Sequence, residues 1–113
     1  MRNIWEAKIM ARVLIVCGSS ISSQSLKESA QRSTEAYQAD IIFESANFQQ
    51  AQLADLEQYQ LILIAPQADY DIQSLATTNV PVKQMPDDIY GWMNGESLVK
   101  FTMTELDKNK VAG

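Results

Sequence analysis

Two short apolar runs, Val13-Leu-Ile-Val16 and Leu61-Ile-Leu-Ile64, do most to restrict what this chain can fold into. Neither alternates with polar residues, and both are rich in β-branched side chains. A run of that kind fits a strand covered on both faces, as in a parallel sheet. Between and after the runs, apolar residues return at helical spacing. Leu26, Ala30, Ser33 and Tyr37 line one face of a helix expected over 23–38, with Lys27, Glu28, Gln31, Arg32 and Glu35 mostly away from it. Asp40 to Ser45, around Ile41-Ile-Phe43, reads as a second strand, and Phe48, Ala51 and Leu53 to Leu56 as a short helix. Pro66 ends the strand that contains Leu61 to Ile64, because proline has no N–H for a ladder.

Asp69 to about Thr77 is expected to form a further helix, with Ile72, Leu75 and Ala76 inward. Val80-Pro-Val82 begins a fourth strand, which Pro81 confines to an edge or a strand start. Pro86 to Gly91 reads as a loop, Asn94 as the cap of a last helix with Leu98, Val99, Thr102 and Leu106 inward, and 108–113 as a frayed tail. Strands that alternate with helices imply right-handed crossovers. The expected fold is therefore α/β: a small doubly wound parallel sheet of four strands in the order 2-1-3-4, helices on both faces. One domain covers 12–107, and 1–11 is an N-terminal extension to which no function is attached.

In such sheets ligands sit beyond the carboxyl ends of the strands, at the switch point between the first and third. Cys17 follows the first apolar run there, and Gly18-Ser-Ser-Ile-Ser-Ser23 leads into the next helix. Ser22 or Ser23 is placed to cap that helix. A small-residue loop at a helix N-terminus points N–H groups at one spot where negative charge is favoured, which is also expected to ease loss of the Cys17 proton. Pro66 and Gln67 would lie across the crevice. The alternative is that Cys17 is a small buried hydrophobe.

Composition narrows the chemistry. The 113 residues hold one cysteine and no histidine. That excludes Ser-His-Asp and Cys-His catalysis within the chain, leaves no internal disulfide, removes the usual zinc and iron ligand sets, and leaves no resolving thiol for a redox cycle. A formal net charge of −5, with no basic cluster, argues against a nucleic-acid footprint. No apolar run approaches the length of a membrane span, and Glu6 and Lys8 interrupt the start of the chain, so a cytoplasmic location is expected.

Over roughly 12–106 the chain resembles the IIB components of the sugar phosphotransferase system, lactose/cellobiose class. The residues that carry this are Val13-Leu-Ile-Val-Cys17 with Gly18-Ser-Ser-Ile-Ser-Ser-Gln24, then Leu61-Ile-Leu-Ile-Ala-Pro-Gln67 with Tyr70, then Tyr90-Gly-Trp-Met-Asn-Gly95. The resemblance implies that Cys17 accepts a phosphoryl group from the phosphohistidine of a IIA protein and passes it to a sugar at a membrane IIC protein. It implies that Gly18, Ser19, Ser20, Ile21, Ser22 and Ser23 cradle the phosphoryl oxygens, with hydroxyl contact from Ser22 and Ser23. Pro66, Gln67 and Tyr70 would form the rim facing a partner. No metal and no cofactor are implied, and the missing histidine would reside on the donor.

The chain departs from the family at Asp69, which with Asp71 would make the rim acidic, and at Asn94, where aspartate is usual. A low-molecular-weight cysteine phosphatase shares the strand-loop-helix plan. It needs an arginine where this chain has Ser23, and no fixed acid beyond Asp87 or Asp88 offers itself. A IIB-like module that binds without turnover is a further reading. Tyr90 and Trp92 are expected to cover the sheet end as core residues, with docking of a partner as the alternative.

Overall fold

The structure is a computed structural model that describes residues 11–18, 20–66 and 79–112. Strand β1, Ala11–Cys17, runs into helix α1, Ser20–Tyr37, and then β2, Ile41–Asn47. Helix α2, Phe48–Leu53, and a 3-10 turn, Leu56–Gln58, precede β3, Leu61–Ile64. After β4, Val82–Gln84, come α3, Asp87–Gly91, and α4, Gly95–Ala112. All pairings are parallel and the order is β2-β1-β3-β4, as the alternating pattern predicts.

The two apolar runs are central because each must be covered on both sides. Val13, Ile15 and Cys17 turn to a layer built by Leu26 and Ala30 of α1 and Leu98 and Val99 of α4. Leu14 and Val16 turn the other way, toward Ala51, Tyr59 and Val80. Every residue from Val13 to Cys17 and from Leu61 to Ala65 is buried. This period-two division between two helical layers keeps the register, since a one-residue slip would exchange the faces.

A polar cluster ties the amino ends of the strands together on the α2 side. Glu44 of β2 accepts from Arg12 of β1 and, at 2.8 Å, from the Tyr59 hydroxyl that precedes β3. The Arg12 guanidinium also lies 5.3 Å from the Tyr59 ring centre. Burial works to raise the Glu44 carboxyl, but the Arg12 and Tyr59 hydrogen bonds outweigh it and hold it below its ordinary value. Burial, then Glu44, pushes the Tyr59 hydroxyl up to about 12.

Two expectations are corrected. Residues 87–91 form a helical turn, not a loop, with Asp87 and Asp88 at its amino end, where the dipole favours carboxylates, and with Ile89 buried. The last helix continues through the expected tail to Ala112, since no glycine or proline stops it before that residue. The helix expected over 69–77 lies outside the described residues. The fourth strand starts at Val82, and the Pro81 carbonyl just before it accepts the Ile62 N–H at 3.0 Å.

Helix α1 ends on Gln38, whose φ of 51° is left-handed, and the Ala39 N–H then reaches back to the Thr34 carbonyl at 3.0 Å. A side chain is disfavoured in that backbone and glycine is not. Gln38→Gly is expected to stabilise the protein by about 0.5–1 kcal/mol, read as a rise in the urea midpoint with unchanged slope.

Candidate functional site

Cys17 is the last residue of β1, level with Asn47 of β2. On its other side Val16 pairs with Ile64, and the Ala65 N–H donates to the Val16 carbonyl at 2.9 Å, which brings Pro66 to the same end of the sheet. The chain leaves β1 toward β2 on one side and returns to β3 on the other, so Cys17 stands at the switch point. Helix α1, of 18 residues, begins three residues later at Ser20. The continuous apolar strand and the small residues after it achieve this locally: the first anchors Cys17, the second lets the chain turn directly into a helix.

The side chains differ from expectation in three respects. The Cys17 thiol is wholly buried, on the α1 side of the sheet. Burial pushes it from the ordinary 9.0 up to about 12, opposite to the shift expected from a helix N-terminus. The core layer it belongs to, which includes Leu26, Ala30, Leu63 and Ala65, is apolar and offers no charge to offset the loss of water. Second, Ser22 and Ser23 stand inside the first turns of α1 and do not cap it. Ser23 is wholly buried. Third, Ile21 projects into solvent at 79% exposure, leaving only its backbone to serve the loop. Gly18 is exposed and Ser22 and Pro66 are half-buried, while Ser19, Gln67, Asp69, Tyr70 and Asp71 lie outside the described residues.

This burial has a direct chemical consequence. At neutral pH, alkylation of Cys17 in the folded protein is expected to be about a thousandfold slower than in urea, because raising the thiol from 9.0 to about 12 reduces the thiolate in that proportion. Mass spectrometry of a timed alkylation checks this, and labelling at the unfolded rate would contradict the burial.

The late Tyr90-Gly-Trp-Met-Asn-Gly95 stretch proves to be a helix junction. Asn94 caps α4 as expected, its Oδ1 accepting from the Ser97 N–H at 3.1 Å. Met93 takes a left-handed φ of 49° between the helices. Gly95 lies against α1, its N–H donating to Ser29 Oγ at 3.2 Å, and a Cβ there would fall on the Ser29 backbone carbonyl. Tyr90 packs on the core as expected, but Trp92 does not: it is 82% exposed. The turn that positions Tyr90 inward carries Trp92 outward. The significance of Gly95 is absent from the residue reading, although a small residue one position after a cap is a detectable signal for close helix approach.

A surface groove lined by Tyr37, Lys100, Met103, Thr104 and Asp107 sits at the other end of α1 and is separate from Cys17. Among the described residues no three acidic or cysteine side chains converge as a metal site would require, and no helix is long and apolar enough to cross a membrane.

No family model and no curated protein matches the sequence. Solved structures do match. The lactose-specific IIB component domain of the phosphoenolpyruvate:carbohydrate phosphotransferase system from Streptococcus pneumoniae superposes with a TM-score of 0.70 at 16% identity, over 84% of this chain and 96% of that one. The cellobiose-specific phosphotransferase IIB component from Borrelia burgdorferi gives 0.70 at 18% identity, over 88% and 94%. At these identities the likeness is one of architecture, and it extends over nearly all of both domains: the chain has the IIB fold, a four-stranded parallel sheet in the order 2-1-3-4 with helices on both faces.

Proposed function

We propose that this chain is a phosphoryl carrier of a sugar phosphotransferase system, a IIB component of the lactose/cellobiose class. Cys17 takes the phosphoryl group from the phosphohistidine of a IIA protein on the cytoplasmic side and passes it to a sugar hydroxyl at a membrane IIC protein. The observation that carries this reading is the position of Cys17: the carboxyl end of the central strand, at the switch point, three residues before the start of α1. The fold shared with two IIB domains and the Cys17, Pro66 and Tyr90 motifs support it.

The transfer balances without a metal. The donor's P–N bond breaks, an S–P bond forms, and the thiol proton goes to the imidazole nitrogen that the phosphoryl group has left. Such a step depends on positioning and on dipoles facing the spread negative charge. The exposed Gly18 and the amino end of α1 serve this role, and Ser22, half-buried in the first turns of α1, is the hydroxyl proposed to contact the group. A thiol held near 12 rests protonated, so reaction awaits a donor that supplies the phosphoryl group and a proton acceptor together. Pro66, half-buried at this end of the sheet, is part of the rim met by the partner.

The same buried thiol favours a second reading, a binding module that keeps the fold without turnover. The test is intact-mass spectrometry after incubation with phosphoenolpyruvate, enzyme I, the small histidine carrier and a IIA protein of the class. One added phosphoryl group per chain supports the carrier. None, with several such IIA proteins, supports the binding module.

A further inference from the structure

The outer edge of the sheet is closed by a side chain. In the ladder between β1 and β2, the Ala11 N–H donates to the Asp40 carbonyl at 3.0 Å, and Ala11 is level with Ile41. Peptide groups alternate in direction along a strand. The even-numbered residues of β2 therefore turn theirs to β1, and Ile41, Phe43 and Ser45 turn theirs outward. Because β2 is the terminal strand among the described residues, these groups face away from the sheet, where a further strand would pair.

Gln31 of α1 meets two of them. Its Nε2 donates to the Ile41 carbonyl at 3.0 Å, and its Oε1 accepts from the Phe43 N–H at 2.9 Å. One primary amide thus occupies an outward acceptor and an outward donor to which the backbone of an added strand would bond. Thr34 holds it there. Its hydroxyl oxygen lies 3.3 Å from Gln31 Nε2, while the hydroxyl itself donates to the Gln31 carbonyl at 2.6 Å. Thr34 is buried, so this arrangement is built into the α1–β2 contact.

We propose that Gln31 guards the β2 edge against strand pairing with a second copy of this chain. The stretch Ile41-Ile-Phe-Glu-Ser-Ala46 is β-prone and contains none of the lysine or proline that commonly blunts an edge. Ile42 is partly exposed, and the Glu44 charge is compensated by Arg12, so little charge repels a copy. The edge is also self-complementary. A two-fold axis through Phe43 sets Phe43 against Phe43 and Ile41 against Ser45 of the other copy, which pairs the outward peptide groups antiparallel. The guard acts by occupying the Phe43 N–H, which would donate across the two-fold axis, and the Ile41 carbonyl, which would accept from the Ser45 N–H of the other copy.

Gln31→Met tests this, since methionine keeps the length and helix propensity and removes the amide. Sedimentation equilibrium over a range of concentrations is expected to show the variant rising about twofold in mass, to a two-fold dimer, while the parent stays constant. At the lowest concentration the Phe43 amide of the variant is expected to exchange faster than in the parent. Adding Ser45→Pro, at an outward N–H whose loss costs no bond to β1, is expected to return Gln31→Met to the parent mass. If Gln31→Met does not fold, Gln31→Leu replaces it: the side chain stays apolar and helix-compatible, both bonds to β2 are lost, and the same rise is expected. A variant that sediments as the parent does, a dimer that survives Ser45→Pro, or a parent already paired through β2 would overturn the proposal.

Discussion

Cys17→Ser is expected to abolish phosphoryl uptake from a IIA donor while the protein stays folded. The thiol is the only sulfur nucleophile in the chain, and there is no histidine to activate a hydroxyl in its place. A serine Oγ at this position would remain protonated in an apolar pocket and attack poorly. Structurally the exchange is small. The serine hydroxyl would sit wholly buried among Leu26, Ala30, Leu63 and Ala65, a cost of about 1–3 kcal/mol against a total of about 5–15 kcal/mol for a domain of this size. Cys17→Ala avoids the buried hydroxyl and serves as the second variant. Intact mass reads the loss of the phosphoryl group, and far-ultraviolet circular dichroism reads the fold. A serine variant that still carries the group at the parent's rate would remove Cys17 from the mechanism.

Gly95→Ala is expected to be strongly destabilising, because a Cβ there would overlap the Ser29 carbonyl carbon. Helix α4 crosses α1 with the Gly95 backbone against Ser29, close enough for a Gly95 N–H to Ser29 Oγ bond of 3.2 Å. The added Cβ would meet the Ser29 backbone carbonyl, which cannot rotate away as a side chain can. Relief requires the two helices to separate. Leu98 and Val99, which α4 presses onto the Val13–Ile15–Cys17 face, would move with them. Overpacking of this kind costs about 3 kcal/mol or more, equivalent to a fall of roughly 10–20 °C in Tm. Gly91→Ala is the matched control, since a Cβ at Gly91 meets nothing within 4 Å, and it is expected to be near neutral. Equal Tm values for the two variants would show that the α1–α4 contact has room that the geometry denies it.

These two positions differ in how far they can be read from the chain. Cys17 announces itself: a β-branched strand, a cysteine and a run of small residues are consecutive, and the order of strands follows from their alternation with helices. The strand order β2-β1-β3-β4, Pro81 just ahead of the edge strand β4 and the Asn94 cap follow from rules that act within a few residues. Gly95 and Gln31 do not announce themselves. Gln31 falls among polar residues on the periodic pattern of α1, yet it is half-buried against β2. Its value depends on which peptide groups of a strand 10 residues away point outward.

The strand-and-helix alternation, the switch point and the place of Cys17 beside it were thus determined by the sequence alone, because periodicity and turn chemistry are local. The tertiary structure alone decided the state of that cysteine. Whether a helix N-terminus lowers a thiol or burial raises it depends on how closely α1 settles on β1, and here Cys17 is wholly buried in an apolar layer, which pushes the thiol up. It also decided that Trp92 faces solvent, that Gly95 must have no side chain and that the β2 edge is closed. Each of these depends on the distance between elements far apart in the chain, which no local pattern encodes.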